Sequence, residues 1–255
     1  MIEPNFRQPV FNSNKILSKS ILILTILFVT ISLFSIVADF FQFSLIADLK
    51  EGLHKELIDS NDSRQGVIAI LNLFILIPLM VVFYTWVNRS NKNLSALGVK
   101  NKIFSSGWSV GWFFIPVMSI YKPCQVMKEI WNESTRVKIK IDNYDYTKKA
   151  PSGTVVLWWI VWVIDTYFSS FVLRYSIMIR TLDSLYNLTI MYVISSTLNI
   201  VNFIFTAYLV HKITNYQIEK YKILKAQEQS IPDNFETDNS RNFPNNIPPT
   251  YTPFS

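Results

Sequence analysis

The sequence is poor in the residues that build most metal and disulfide sites. Its 255 residues include one cysteine, Cys124, and two histidines, His54 and His211. A single cysteine excludes an intrachain disulfide and a cysteine metal cluster, and two histidines leave few ligands for any other metal. Neither histidine lies inside a long apolar run, and no phosphate-cradling glycine loop is present. We therefore expect a protein without enzymatic activity, bound metal or cofactor.

Charge is also scarce, and long uncharged runs take its place. Half of the residues are hydrophobic, 16% are charged and the mean hydropathy is +0.24, which is unusual for a soluble chain. A helix that crosses about 30 Å of hydrocarbon needs about 20 mainly apolar residues, because its backbone polar groups must be paired within the segment. Four runs qualify, at residues 21–47, 66–87, 154–173 and 188–210. They predict an all-α, polytopic membrane protein with four transmembrane helices.

The segments around this four-helix domain, residues 21–215, differ in composition. Residues 1–20 precede the first run, which is longer than the core of a signal peptide and is predicted to be retained. Residues 216–229 are predicted to continue the fourth helix into water. Residues 230–255 contain five prolines and few apolar side chains, so we expect a disordered tail. The long loop of residues 88–153 separates the second and third runs.

Lysine and arginine are distributed unevenly among the segments that flank the runs. Residues 1–20, the loop 88–153 and the chain after Val210 hold 19 of them, and the other two connections hold five. Basic residues resist translocation, so this positive-inside bias predicts that both termini and the long loop are cytoplasmic. The positive charge suits the anionic lipid of the inner leaflet. Nucleic acid is not expected as a partner.

Residues 107–131, which we name the loop element, are too apolar for water and too short to cross a bilayer. Residues 107–121 carry no charge. A crossing here would place basic segments on both sides of the membrane, so the loop element is predicted to lie at the interface or to enter and return. Pro116 disfavours helix just before it, and Pro123 can begin another helix. The prediction is a broken helical element between spans two and three.

The loop element is also the predicted binding surface. Gly107 and Gly111 would form a small face that packs on the spans. All seven tryptophans fall on the predicted cytoplasmic side, which favours an aromatic belt at headgroup depth, with two or three of the seven expected to be ordinary packing residues. An alternative is a soluble helical lid. The candidate lipid-binding or partner-binding residues are Gly107, Trp108, Gly111, Trp112, Pro116, Lys122, Pro123, Lys128 and Trp131.

Three stretches of sequence carry a family resemblance. The first, "NLSALG", follows the second run, and "GWSVGWFFIP" and "KPCQVMKEIW" make up most of the loop element. Through these stretches the chain resembles the bacterial membrane family known as domain of unknown function 4328, over roughly residues 20 to 215. The resemblance implies a multi-spanning bacterial membrane protein with no established activity, and we expect it in the inner membrane. The family offers no catalytic residues to carry over.

Polar side chains inside the apolar runs are further candidates. A charge at the centre of a membrane helix costs about 2.5 to 3.5 kcal/mol, so Asp39 and Asp165 need an explanation. Counting residues from the ends of the runs places Asp39 level with Asn72, and Asp165 level with Asn199 and Asn202. Such pairs either join neighbouring helices by hydrogen bonds or form an ion or proton path, and we favour hydrogen bonding between helices.

These features leave three classes of function. The leading hypothesis is a non-enzymatic module that binds membrane lipid, a partner membrane protein or a second copy of itself through the loop element. The alternative is a small oligomeric transporter or channel built around Asp39 and Asp165. An intramembrane enzyme has the least support.

Overall fold

A computed structural model describes most of the chain as helix. It describes the backbone of residues 9–52, 57–141, 144–148 and 150–229, and the side chains of residues 9–52, 63–136 and 150–229. The helices are α1 (Lys15–Lys50), α2 (Leu57–Ala96), α3 (Trp108–Gly111), α4 (Lys122–Thr135), α5 (Gly153–Ile177) and α6 (Leu182–Gln229). The predicted disordered tail, residues 230–255, lies outside the described residues.

Four helices, α1, α2, α5 and α6, are long and apolar enough to cross a membrane. Each contains one of the four apolar runs, so the predicted all-α fold with four membrane-length helices is confirmed. The helices extend beyond the runs, because helical hydrogen bonding continues into polar sequence that contains no breaker. At 1.5 Å per residue the 48 residues of α6 measure about 72 Å, more than twice the thickness of the hydrocarbon layer.

The long helices form a row that curls back on itself. In this row α1 packs against α2 and α6, and α5 packs against α6. Residues of α2 and α5 line the same cavity, so the two ends of the row face each other. Within the described residues, no extensive contact joins α2 directly to α5. The candidate site described below lies at the gap between these two helices.

The two ends of the bundle are held by different kinds of contact. At the turn end, where α1 ends and α6 begins, Lys50 and Asp183 form an exposed ion pair at 2.6 Å. An exposed pair of this kind contributes about 0 to 1 kcal/mol. The loop end carries the start of α1, the end of α2 and the loop element. Buried polar side chains hold this end together.

Gln217 lies at the centre of the buried polar cluster at the loop end and is 1% exposed. Its Nε2 donates to the backbone carbonyl of Ser90 at 3.0 Å and to the Ser134 hydroxyl at 3.1 Å. Its Oε1 accepts a hydrogen bond from Nδ2 of Asn93 at 3.3 Å. Asn93 also exchanges two hydrogen bonds with the backbone of Asn12. The cluster therefore ties α2, α4 and α6 to the segment that precedes α1.

A glycine cap ends α2. Gly98 has a φ of +84°, and the N–H of Val99 donates to the carbonyl of Leu94 at 3.0 Å, as in a Schellman motif. Leu94 and Leu97 are buried in the core. The stretch "NLSALG" thus has a local structural explanation: an asparagine for the polar cluster, two leucines for the core and a glycine for the cap.

An antiparallel hairpin that the sequence analysis did not predict follows α4. Strand β1 (Val137–Ile141) pairs with β2 (Tyr144–Lys148), with Val137 opposite Lys148 and Ile141 opposite Tyr144. The alternation of "VKIKI" and the β-branched and aromatic residues of both strands are typical of such a hairpin. This pattern is sufficient to predict the hairpin, whereas the positive charge of the long loop predicts only topology.

Candidate functional site

The loop element is broken into helical pieces. It contains α3, a single turn of 3-10 helix at Met118–Ile120, and most of α4. Pro116 lies between the first two pieces, and Pro123 lies in the first turn of α4. The predicted division at the two prolines is therefore observed. The pieces lie at the loop end, with α3 against α2, and α4 against α2, α5 and α6.

One face of α4 is buried in the bundle. Val126, Met127 and Ile130 are fully buried, and Trp131 is 4% exposed. The Trp131 ring meets Tyr216 of α6 edge to face, with 5.7 Å between centroids. The prediction that Trp131 anchors at headgroup depth is therefore wrong. Position 131 follows Met127 by one helical turn, so it falls on the same buried face.

Other tryptophans are also packing residues. Trp86, Trp158 and Trp159 are buried, and their indole N–H groups donate hydrogen bonds of 2.8 to 2.9 Å within the protein. The acceptor for Trp159 is the backbone carbonyl of Ile120, which fastens the loop element to α5. These three are ordinary packing residues, as was expected for two or three of the tryptophans, because their polar edges are paired inside the bundle.

The two glycines of the loop element do not pack on the long helices. A Cβ at Gly107 would have no neighbour within 4 Å, and the nearest neighbours of a Cβ at Gly111 would be atoms of the Trp108 ring, from 3.0 Å. The predicted close approach through a glycine face is therefore wrong. Gly111 instead leaves room for Trp108, whose ring centroid lies 4.8 Å from that of Trp112.

Phe113 bridges the gap between α2 and α5 at the loop end. Its ring meets Phe83 and Tyr84 of α2 at centroid distances of 6.0 and 5.3 Å. It also meets Trp159 and Trp162 of α5 at 6.4 and 6.3 Å. All four contacts are edge to face, an arrangement that aromatic pairs favour. Phe113 was missed from sequence because it belongs to an uninterrupted apolar run in which no residue stands out.

The same loop element leaves apolar side chains uncovered. Trp108 is 53% exposed, and Phe114, Val117, Ile120 and Tyr121 are exposed as well. Soluble surfaces rarely carry so many large apolar groups in one short segment. One side of the loop element is thus fixed to the bundle by Phe113 and α4, and the other side exposes apolar side chains.

Two lysines belong to the loop element that carries this apolar surface. The Nζ of Lys122 lies 5.5 to 5.7 Å from the ring centroids of Phe104, Trp112 and Tyr121, within the range of a cation–π interaction. Lys128 lies half-buried on α4. Of the predicted surface, Pro123 and Trp131 are buried. The other seven residues are accessible or partly accessible: Gly107, Trp108, Gly111, Trp112, Pro116, Lys122 and Lys128.

A buried carboxylate fixes the segment between α2 and α3. Glu129 of α4 accepts hydrogen bonds from the backbone N–H groups of Ile103 at 2.5 Å and Phe104 at 3.3 Å. Burial raises the pKa of the Glu129 carboxyl, although both N–H donors and the Lys102 ammonium act in the opposite direction. The Nζ of Lys102 donates at 3.2 Å to the Asn91 backbone and side chain, and burial lowers its pKa.

Gly107 to Gly111 also match the G-x-S-x-G pattern in which serine hydrolases carry their nucleophile. In those enzymes the serine projects its hydroxyl from a turn between a strand and a helix. Ser109 lies in the short helix α3 and is fully buried. Its Oγ donates a 2.7 Å hydrogen bond to the backbone carbonyl of Ser106. This is the geometry of a structural hydroxyl rather than of an exposed nucleophile.

A cavity of about 320 Å³ lies between α2 and α5. Asp165 and Asn202 line it, and Nδ2 of Asn202 donates to Oδ2 of Asp165 at 2.7 Å. The predicted pairing of Asp165 with α6 is therefore observed. Asn199 also lines the cavity, but its Nδ2 donates to the backbone carbonyl of Ser195 at 2.8 Å.

Asp39 does not pair with Asn72, so that prediction is wrong. Oδ1 of Asp39 accepts a hydrogen bond from Nε2 of Gln65 at 3.2 Å, and the same Nε2 donates to Gln42 at 2.8 Å. Nδ2 of Asn72 donates to the Ser35 hydroxyl at 3.4 Å. The error arose because α2 begins well before the apolar run, which brings Gln65 into the helix beside Asp39.

Comparison with known proteins identifies a family. The family model described as Domain of unknown function (DUF4328) matches residues 50–215. The match begins at the end of α1, whereas the sequence resemblance was expected from about residue 20. No curated protein and no solved structure matches the chain. The matched residues make up about two thirds of the sequence, and the protein belongs to the DUF4328 family.

Proposed function

We propose that the protein is a non-enzymatic membrane module that binds anionic lipid at its loop end. The observation that supports this function best is the loop element itself, which is fixed to the bundle by Phe113 while Trp108 and its apolar neighbours stay exposed. Lys122 and Lys128 lie in the same element. An apolar face beside basic groups suits the boundary between acyl chains and anionic headgroups.

The fixed attachment matters for affinity. A loop that became ordered only on binding would lose conformational entropy at that moment, whereas a surface already held in place does not. The edge-to-face contacts of Phe113 and the hydrogen bond from Trp159 to Ile120 hold this surface before any lipid arrives. A partner membrane protein or a second copy of the chain would meet the same surface. The lysines favour anionic lipid over either.

The proposal includes an orientation, with the loop end and both termini in the cytoplasm of a bacterial cell and the four long helices in its inner membrane. Single cysteines at Glu51, Ser105 and Gln229, on a Cys124→Ser background, test it in intact cells with a membrane-impermeant thiol reagent. All three parent residues are exposed. We expect labelling at position 51 alone, because basic segments resist translocation. Labelling at position 105 or 229 without cell lysis would contradict this orientation.

The depth of the loop element tests the binding mode. A spin label at Trp108 in reconstituted protein should collide more with oxygen than with an aqueous nickel chelate. Labels at Phe74, exposed on α2 within the second apolar run, and at Gln229, exposed at the end of α6, give the bilayer and water references. We expect values at 108 between the two references, because the exposed apolar side chains of the loop element favour the membrane interface. Values equal to those at 229 would place the element in water.

The transporter alternative has weaker support from the geometry. Asp39 and Asp165 belong to separate hydrogen-bond sets, Asp39 with Gln65 and Asp165 with Asn202. Asp165 lines the cavity between α2 and α5, and Asp39 is not among the residues that do. A path that used both carboxylates would have to connect two sites that the described residues keep apart.

A further inference from the structure

The cavity between α2 and α5 has a polar floor of unusual composition. Asp165 is 5% exposed and Asn202 is 4% exposed. Their hydrogen bond uses Oδ2 of Asp165 and Nδ2 of Asn202. Oδ1 of Asp165 and Oδ1 of Asn202 are buried and have no hydrogen-bond partner among the described residues. Both free atoms are acceptors, so the floor offers two acceptor positions to a ligand that carries donors.

Charge in the cavity is one-sided. Among the described residues that line it there is a carboxyl group, on Asp165, but no lysine, arginine or histidine. A buried acceptor without a partner destabilises the fold, and a buried charge without a partner destabilises it more. A ligand that carries both a positive charge and N–H donors would offset that cost.

The walls of the cavity suit the rest of such a ligand. Six aromatic rings line it, namely Phe83, Tyr84, Phe113, Trp158, Trp162 and Phe203. The indole N–H of Trp158 already donates to Thr206, so this ring offers mainly its apolar surface and π-face. Aromatic faces attract ammonium groups through their quadrupoles, and they pack against apolar carbon as well.

We propose that this cavity binds a small organic ammonium compound, a primary amine on an aromatic or aliphatic body. The ammonium group donates to Oδ1 of Asp165 and Oδ1 of Asn202, and the body lies among the aromatic rings. The volume of about 320 Å³ is at the lower end for ligand pockets, which selects compounds of a single ring. The proposed entrance from the membrane lies between α2 and α5, which are not joined by extensive contacts.

Saturation binding of radiolabelled 2-phenylethylamine to the purified full-length protein in a neutral detergent tests the proposal. 2-Phenylethanol, which has the same ring and chain without the charge, serves as the competitor control. We expect saturable amine binding that the alcohol does not displace. Asp165→Asn should weaken binding by about thirtyfold or more, because the charge partner is lost. Asp39→Asn is the matched control, and binding should stay within about twofold of the parent, since Asp39 does not line the cavity.

A second pair of variants covers the case in which Asp165→Asn does not fold. Met80→Trp fills the cavity from α2 without touching the carboxyl group, and Phe74→Trp adds the same ring on an exposed position of the same helix. Amine binding should be lost in the first and kept in the second. The proposal is overturned if the parent protein shows no saturable binding, if the alcohol competes equally, or if either Asp165→Asn or Met80→Trp binds like the parent. The anionic-lipid surface is a separate site and is not judged by this result.

Discussion

Replacing Gln217 by leucine should lower the free energy of unfolding by about 3 to 5 kcal/mol. Gln217 is almost completely buried and makes hydrogen bonds to Ser90, Ser134 and Asn93, which lie on two other helices. Leucine fills a similar volume but leaves several buried polar groups without this partner. Each such group costs about 1 to 3 kcal/mol, and the members of a network strengthen one another.

Asn215→Leu is the matched control for this prediction. Asn215 lies on the same helix, is exposed and contacts only His211 of its own helix in the described hydrogen bonds. Removing its amide should change the stability by less than about 0.5 kcal/mol. Unfolding by SDS titration in mixed micelles measures both variants. Equal stabilities for the two variants would show that the polar cluster does not hold the loop end together.

The features that the sequence predicted well are those decided by local chemistry. Each apolar run is long enough to pair its own backbone in a bilayer, so the four long helices follow without knowledge of their neighbours. The division of the loop element follows in the same way from Pro116 and Pro123, which act on the residues beside them. The pairing of Asp165 with Asn202 could also be predicted from sequence. Both residues lie near the middle of their helices, where counting residues from the ends of the apolar runs gives a reliable depth.

The features that it predicted poorly depend on tertiary packing. Tryptophan is a residue type that favours lipid headgroups, but Trp131 lies against Tyr216. Whether its side chain meets lipid or the protein interior depends on how α4 packs on α6. Gln217 and Glu129 looked like ordinary residues of exposed helices, yet each is buried by an element distant in sequence. Phe113 became visible as a bridge only once α2 and α5 were known to stand apart.

The largest functional effect is expected from four simultaneous substitutions in the loop element: Trp108→Ala, Phe114→Ala, Lys122→Gln and Lys128→Gln. Each lysine near a membrane surface contributes about 1 kcal/mol of attraction to anionic lipid, so losing two lowers the association constant by about thirtyfold. The two aromatic side chains are exposed, so their removal reduces apolar contact with the lipid without creating a cavity in the core. The fold should survive, because Phe113 and the buried face of α4 are untouched.

The control variant carries an equivalent change at the turn end: Arg174→Gln, Ile177→Ala, Met178→Ala and Arg180→Gln. All four parent residues are exposed, so the variant loses the same charge and two apolar groups at the opposite end of the bundle. It should bind anionic lipid as the parent does. Any general effect of lower charge or lower surface hydrophobicity would appear in both variants.

The most direct measurement of lipid binding at the loop end is the association constant of phosphatidylglycerol relative to that of phosphatidylcholine. It is measured with spin-labelled lipids in bilayers that contain the parent protein, the loop-element variant or the turn-end variant. We predict a preference for phosphatidylglycerol in the parent and the turn-end variant, and its loss, by about thirtyfold, in the loop-element variant. Equal preference in all three proteins, or a loss confined to the turn-end variant, would contradict the proposal that the loop element is the lipid-binding surface.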